Sequence, residues 1–433
     1  MSSSVRRAPM RSALLCCLLS MLWLTPPLSA QSVPVAAASH AEEHEQTVVR
    51  DAALTLSGAL SAALGRAPGT QLPQARLSES RVLTERAGSV LSAPPALHMR
   101  YQTDRLPGRA AGVRELEAGL DLPLWRSGQR DALRREADAG RLLSDEELRI
   151  HRWRVAGDLR ETLWRVLQAE AEVKLADADV ELYRALEDDV SKRVRAGDAA
   201  PVEILSAEAA RRERDAARYE AQVELAHSVF GWATLTGLPA LPATVREPVA
   251  REPVADAATG YPPVLTAQAA LERARSALAS VQSQGSGAPR ILVGMRSEKS
   301  PDSPVTDSVG ATLSIPFGGA VHRAATLSPL QLDLARAEDD LALALRMATL
   351  VLHEAEHELH AREQALQLAA GQKAVAEREV ELGRRAYRLG ESSLAERLLV
   401  EARAANARRA AALADIAHER AVARYNTSLG ILP

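Results

Sequence analysis

LEAGLDLPLWRSGQR, residues 116–130, and RAGDAAPVEILSAEA, residues 195–209, decide the fold because the chain says both twice. A step of 193 positions leads to DSVGATLSIPFGGAVHR at 307–323 and RLGESSLAERLLVEA at 388–402. Pro123 then falls on Pro316, Arg195 on Arg388, Gly197 on Gly390, Glu203 on Glu396, Glu208 on Glu401 and Gly237 on Gly430. An offset that holds from a strand-like run to the end of a second helical run marks two structural repeats within one body.

Each repeat opens on period-two alternation, which places apolar residues on one face of a strand and polar residues on the other. Leu97, Met99 and Tyr101 alternate in this way, as do Leu116, Ala118, Leu120, Leu122 and Leu124. In the second repeat Ile291, Val293 and Met295 lead to Val309, Ala311, Leu313, Ile315 and Phe317. A long helical run follows each pair. No proline occurs from Gln129 to Ala196, and Val155, Leu159, Val166, Ala169, Val173, Ala176, Val180, Tyr183, Val190 and Val194 form a heptad seam broken at Thr162 and Glu187. At 1.5 Å per residue such a helix is about 100 Å long and needs a partner helix along its length. The rod turns at Gly197, and Pro201 starts a return helix where its missing N–H costs little. Gly390 makes the second turn, with Ser393 as the helix cap. The return helices are expected to end near Trp232 and Tyr425. In the second repeat Pro329 argues that the long helix begins there rather than just after Phe317.

Outward from the repeats, LTLSGALSAALGRAP (54–68) reads as a short helix and about 72–91 as a second. Residues 238–263 read as a Pro-rich linker with a tandem REPVA, 246–250 and 251–255. Residues 1–30 read as a signal peptide: Arg6, Arg7 and Arg11 precede an apolar run, and Ser29 and Ala30 mark the cut. Both cysteines, Cys16 and Cys17, fall inside it, so the processed chain has no thiol chemistry. The domain reading is therefore 1–30 signal peptide, 31–240 first repeat and 241–433 second repeat. A net charge of −3 argues against a nucleic-acid surface. No later apolar run is long enough for a membrane-spanning helix.

An exported chain that alternates strand pairs with 100 Å helices has few places to go. If these strands span a membrane, chains must combine until at least eight strands close, because four cannot close a barrel and an open sheet edge cannot sit in lipid.

The strand-to-helix motifs LDLPLWRSGQR and LSIPFGGAVHR, the two turns and the 54–68 segment together resemble the TolC-like family of outer-membrane efflux channels, from about Thr47 to Leu432. The resemblance implies a mainly α, α+β fold and a homotrimer, with a twelve-stranded β-barrel in outer-membrane lipid and a periplasmic α-barrel. It implies a passive conduit, with no enzymatic activity and no cofactor, that carries small molecules or metal ions from an inner-membrane pump and a periplasmic adaptor to the exterior. Carried onto this chain, the adaptor-contacting tips are Val194, Arg195, Gly197 and Asp198 with Tyr387, Arg388, Gly390 and Glu391. Phe, Trp and Tyr make up 3% of the chain, so aromatic girdles rest on Tyr101, Trp125 and Phe317.

Two other signals have plainer readings. Glu187, Asp188 and Asp189, two turns before Gly197, either form a constricting ring at the pore mouth or are a solvated helix face. His353-Glu-Ala-Glu-His357 matches H-E-x-x-H, the zinc-protease pattern. Its counterpart in the first repeat is Arg160-Glu-Thr-Leu-Trp164, with no ligands, and a mid-rod helix offers no cleft. His353 and His357 are the residues that would hold a metal, although no metal centre is expected. The competing architecture is a periplasmic coiled-coil scaffold or adaptor without a pore. The two strand pairs, each with an apolar face, favour the channel.

Overall fold

The computed structural model describes residues 48–104, 112–251, 258–319 and 321–433. The expected signal peptide, with Cys16, Cys17, Ser29 and Ala30, and most of the second REPVA copy lie outside the described residues.

The chain begins with β1 (Arg50–Asp51), α1 (Leu56–Arg66) and α2 (Gln71–Gly88). Thr55 caps α1, its hydroxyl accepting the Gly58 N–H at 3.0 Å and satisfying one unpaired donor of the first turn. There follow β2 (Ala96–Thr103), β3 (Arg114–Pro123), α3 (Gln129–Ala196), α4 (Pro201–Thr236) and β4 (Leu241–Pro242). The second half runs α5 (Pro262–Ser283), β5 (Arg290–Lys299), β6 (Thr306–Ser314), α6 (Val321–Arg388) and α7 (Leu394–Ser428). Helices α3 and α6 are both 68 residues long, and so about 100 Å. The architecture is mainly helical α+β, with strand pair, long helix and return helix occurring twice.

Four details differ from the reading of the sequence. Helix α2 ends at Gly88, short of Leu91, because Ser89 turns extended and its hydroxyl bonds to the carbonyls of Arg86 and Leu91. Helix α6 begins at Val321 and carries Pro329 inside it. Residues 324–326 are exposed, so water can reach the Ala325 carbonyl that proline leaves without a donor. The return helices continue past Trp232 and Tyr425 to Thr236 and Ser428. Left-handed glycines stop them, Gly237 at φ 74° and, two residues beyond α7, Gly430 at φ 78°. Finally, α5 occupies ground read as linker or left unassigned. Its prolines fall in the first turn, where they are tolerated, and it buries Val264, Leu271 and Ala277 while packing along α3 and α6.

The strands form one antiparallel sheet in the order β2-β3-β5-β6, which leaves β2 and β6 as edges. Its register aligns Leu97, Leu120, Val293 and Ala311 in one row, and Met99, Ala118, Met295 and Val309 in the next. The opposite face carries Arg100, Glu117, Arg296 and Ser308, and Gln102, Glu115, Glu298 and Thr306. A separate parallel pair joins β1 to β4 and ties the N-terminal segment to the chain after α4.

The main core lies where α1, α3, α4 and the last turns of α7 meet, around Leu159, Leu163, Trp164, Val166, Trp232 and Leu241. The α3 seam steps over its two polar interruptions by one position, burying Leu163 in place of Thr162 and Leu186 in place of Glu187. Arg160 is locked into this region by both oxygens of Glu247 and by the Ile431 carbonyl, which holds the first REPVA copy against α3. Helix α6 is different. Its buried residues are Ala337, Ala348, Ala369, Val380 and Tyr387, whereas Leu368, Val375 and Leu382, with Leu389 just past its end, form an exposed apolar row seven residues apart.

Candidate functional site

The two faces of the sheet are unlike. Side chains on its apolar face have nothing over them: Leu97, Met99, Tyr101, Leu120, Met295, Val309 and Leu313 are all more than half exposed. Burying such a side chain is worth about 1.5–3 kcal/mol, so this face is costly in water and favourable in a hydrocarbon layer. The polar face is crossed by ion pairs. Arg290 meets Asp121 at 2.7 Å, Arg296 meets Glu115 at 2.5 Å, and Arg100 meets Glu117 at 3.9 Å.

The glycines of the sheet bear on its curvature. His98, Gly119, Gly294 and Gly310 form one row of the polar face. A Cβ added at Gly294 would lie 2.5 Å from the Ala118 carbonyl oxygen, and one at Gly119 would lie 2.9 Å from that of Val293. Backbones come this close where a sheet bends sharply toward the face that bears the glycines, and glycine permits it. On that ground we read the polar face as the concave one. A hollow of about 200 Å³ lies over the glycine row. Of the three girdle aromatics, Phe317 and Tyr101 are exposed. Trp125 instead donates its indole N–H to the Ser89 carbonyl at 3.0 Å, with Arg130 over its ring.

At the far end of the rods the two turns are built alike. Gly197 takes φ 84° and Gly390 φ 74°. In each turn the next amide reaches back five residues, Asp198 N–H to the Arg193 carbonyl and Glu391 N–H to the Ala386 carbonyl, both at 2.9 Å, which is the Schellman closure. Ser393 and Glu396 cap α7 reciprocally, the Ser393 N–H donating to the carboxylate at 2.7 Å and the Ser393 hydroxyl accepting the Glu396 N–H at 3.2 Å. That backbone N–H, and then the Ser393 hydroxyl, hold the Glu396 carboxyl below its ordinary pKa.

The tips meet each other. Leu186, Val190 and Ala207 of the first hairpin and Tyr387 and Leu394 of the second form one buried cluster. Tyr387 is 2% exposed, with Arg193 and Arg397 against its ring, so it belongs to this joint and not to the outer surface. Val194 is half-buried at the edge of the joint. Arg195, Gly197, Asp198, Arg388, Gly390 and Glu391 are exposed around it. Sequence reasoning missed the apolar part of the same surface, Val202, Leu205, Leu389 and Leu399, each more than half exposed. Its signal was apolar residues beside the turns but off the seam.

The acidic triplet is neutralised within the chain. Glu187 pairs with Arg211 at 2.5 Å, Asp188 with Lys192 at 3.1 Å and Asp189 with Arg397 of the second hairpin at 3.2 Å. The Glu187 hydrogen bond also holds Arg211 above its ordinary pKa. Further along the rod the buried Glu401 receives Arg384 through both oxygens, at 2.6 and 2.9 Å. Burial raises the Asp179 carboxyl, against the pull of Arg214, Arg408 and Arg409. His353 and His357 lie mid-rod on the exposed side of α6, ring centroids 4.3 Å apart. Among the described residues no group of three or more His, Cys, Asp or Glu is placed to hold a metal ion.

No family model matches this sequence, and no curated protein matches it. Solved structures do match. OprN, an outer-membrane channel, is 18% identical, and the match covers 92% of this chain and 97% of OprN with a TM-score of 0.68. CusC, whose crystal structures bear on folding and transmembrane channel formation, is 16% identical, with coverage of 89% and 93% and a TM-score of 0.70. The outer membrane channel CmeC of Campylobacter jejuni is 14% identical, with coverage of 87% and 85% and a TM-score of 0.66. At such identities the likeness defines the fold. The fold is the TolC-like one that these outer-membrane channel structures share.

Proposed function

We propose that this chain is the outer-membrane channel of a tripartite export system. It is a passive conduit that takes small molecules or metal ions from a periplasmic adaptor and inner-membrane pump to the exterior, without chemistry of its own. The observation that carries this reading is the four-stranded sheet, with two unpaired edges, a convex apolar face and a concave charged face. Only closure with other copies gives all its edges partners while keeping apolar side chains outward. Three copies would make a twelve-stranded barrel, an even number within the range of outer-membrane barrels. The exposed row Leu368, Val375, Leu382 and Leu389 on the α6 side supports the same assembly, since an apolar heptad seam needs a facing helix. The two repeats, 31–240 and 241–433, then form one channel body after removal of residues 1–30.

The tips at Gly197 and Gly390 would meet the adaptor through the exposed residues named above, with Val202, Leu205 and Leu399 as its apolar contacts. Because each of Glu187, Asp188 and Asp189 has a cation beside it, a charged ring there would act through shared ion pairs. The Asp189–Arg397 bridge, which spans the two hairpins, is the pair that would break on opening.

Planar-bilayer conductance of the detergent-extracted protein, with its mass determined in the same detergent, tests the reading. A trimer with discrete conductance steps is expected. A soluble monomer or dimer without conductance would overturn it in favour of a periplasmic scaffold.

A further inference from the structure

The histidines on α6 are used by neither the sheet nor the tips. His353 and His357 are one helical turn apart, exposed, with ring centroids 4.3 Å apart and planes at 65°. Their face points away from the packed side of α6, where Leu341, Ala344, Leu345 and Val351 meet Tyr261 and Val264. His360 turns its Nδ1 to the Glu356 carbonyl at 3.0 Å. The carboxylates of Glu354 and Glu356, both exposed, have no ion pair among the described residues.

Two imidazoles in adjacent positions of a metal's coordination sphere have a definite spacing. With metal–nitrogen bonds of about 2.0–2.1 Å at a right angle, as in tetragonal Cu(II) or Ni(II), ring centroids fall about 4.5 Å apart. The observed spacing needs an adjustment of only a few tenths of an ångström. Tetrahedral Zn(II) in a structural site draws on four protein ligands, which this face does not supply. Tetragonal Cu(II), which accepts water in its other positions and tops the divalent affinity order, is served by two nitrogens.

We propose that His353 and His357 form a bidentate Cu(II) site on the exposed side of α6, with the remaining positions filled by water. It rests on two side chains of one helix and needs no ligand from another chain. The His-Glu-x-x-His pattern is on this reading a chelate with no catalytic function, since two ligands on an open rod bring no cleft and no substrate.

The test is Cu(II) titration of the purified full chain, followed by isothermal calorimetry and electron paramagnetic resonance, against His353→Ala, His357→Ala and His360→Ala. Helical content by circular dichroism checks that each variant is folded, as expected for exposed positions. The expected result is one ion per chain with a two-nitrogen equatorial signature. Affinity should fall at least tenfold in His353→Ala and in His357→Ala and change less than threefold in His360→Ala. Copper held elsewhere in the chain, for example near His40 or His44, would be unmoved by the first two variants. Equal isotherms for wild type, His353→Ala and His357→Ala, or no binding at all, would overturn the proposal.

Discussion

At the scale of single residues, the sheet makes the sharpest distinction. Val293 and Thr312 are both on the sheet, one in the apolar row with Leu120 and the other in the polar row with Asp121. Arginine on the lipid face of a barrel costs about 2–4 kcal/mol at mid-depth, whereas the lumen face tolerates charge. Val293→Arg should therefore abolish or strongly reduce recovery of the protein in the outer-membrane fraction, while Thr312→Arg should leave recovery intact and alter only conductance. Equal recovery of the two would mean that neither face meets lipid. A second residue-scale prediction concerns acid. The Glu396 carboxyl is held below its ordinary pKa by Ser393, so its contribution is present above the unfolded value and is lost as pH falls through the folded one. Removing the hydroxyl by Ser393→Ala should increase protease cutting at 390–394 near neutral pH. The difference from wild type should shrink below the ordinary carboxylate range.

At the scale of elements, α3 was legible to its ends and α6 was not. The run from Gln129 to Ala196 has no proline and a glycine just past its end, and the helix spans those residues. In α6 the proline rule predicted a start that packing and solvent overrode, because the exposed Ala325 carbonyl can be hydrated. Proline in a helix interior costs up to about 3 kcal/mol. Pro329→Ala should accordingly slow amide hydrogen exchange in residues 321–333, by up to that free energy, and leave exchange near Gly390 unchanged. Helix α5 was missed for the opposite reason: paired prolines read as linker when they were a first turn. The candidate site divides similarly. The glycine turns and strand faces follow from spacing, because backbone sign and period-two alternation are written in residue type. The burial of Tyr387 was not legible, since it depends on Arg193 and Arg397 converging from separate segments.

At the scale of the whole molecule, the two halves are alike in length but unlike in what they bury. Helix α3 packs on both hairpins and on α1, α2, α5 and α7, and carries the main core. Helix α6 leaves its heptad row uncovered. The first repeat thus holds the chain together, and the second leaves an apolar seam open. At the opposite end of α6, the sheet has β2 and β6 as its edges and, on our reading, a bend at Gly119 and Gly294. In the language of polymer chemistry each chain is a bifunctional monomer with one head and one tail. Whether such monomers give a ring or an endless filament depends on the angle each unit adds, not on the strength of the joint. That angle is stored where no side chain is present, in a few atoms of bare backbone. If the chains close as proposed, the number of copies is counted locally, by every chain for itself, before it has met another.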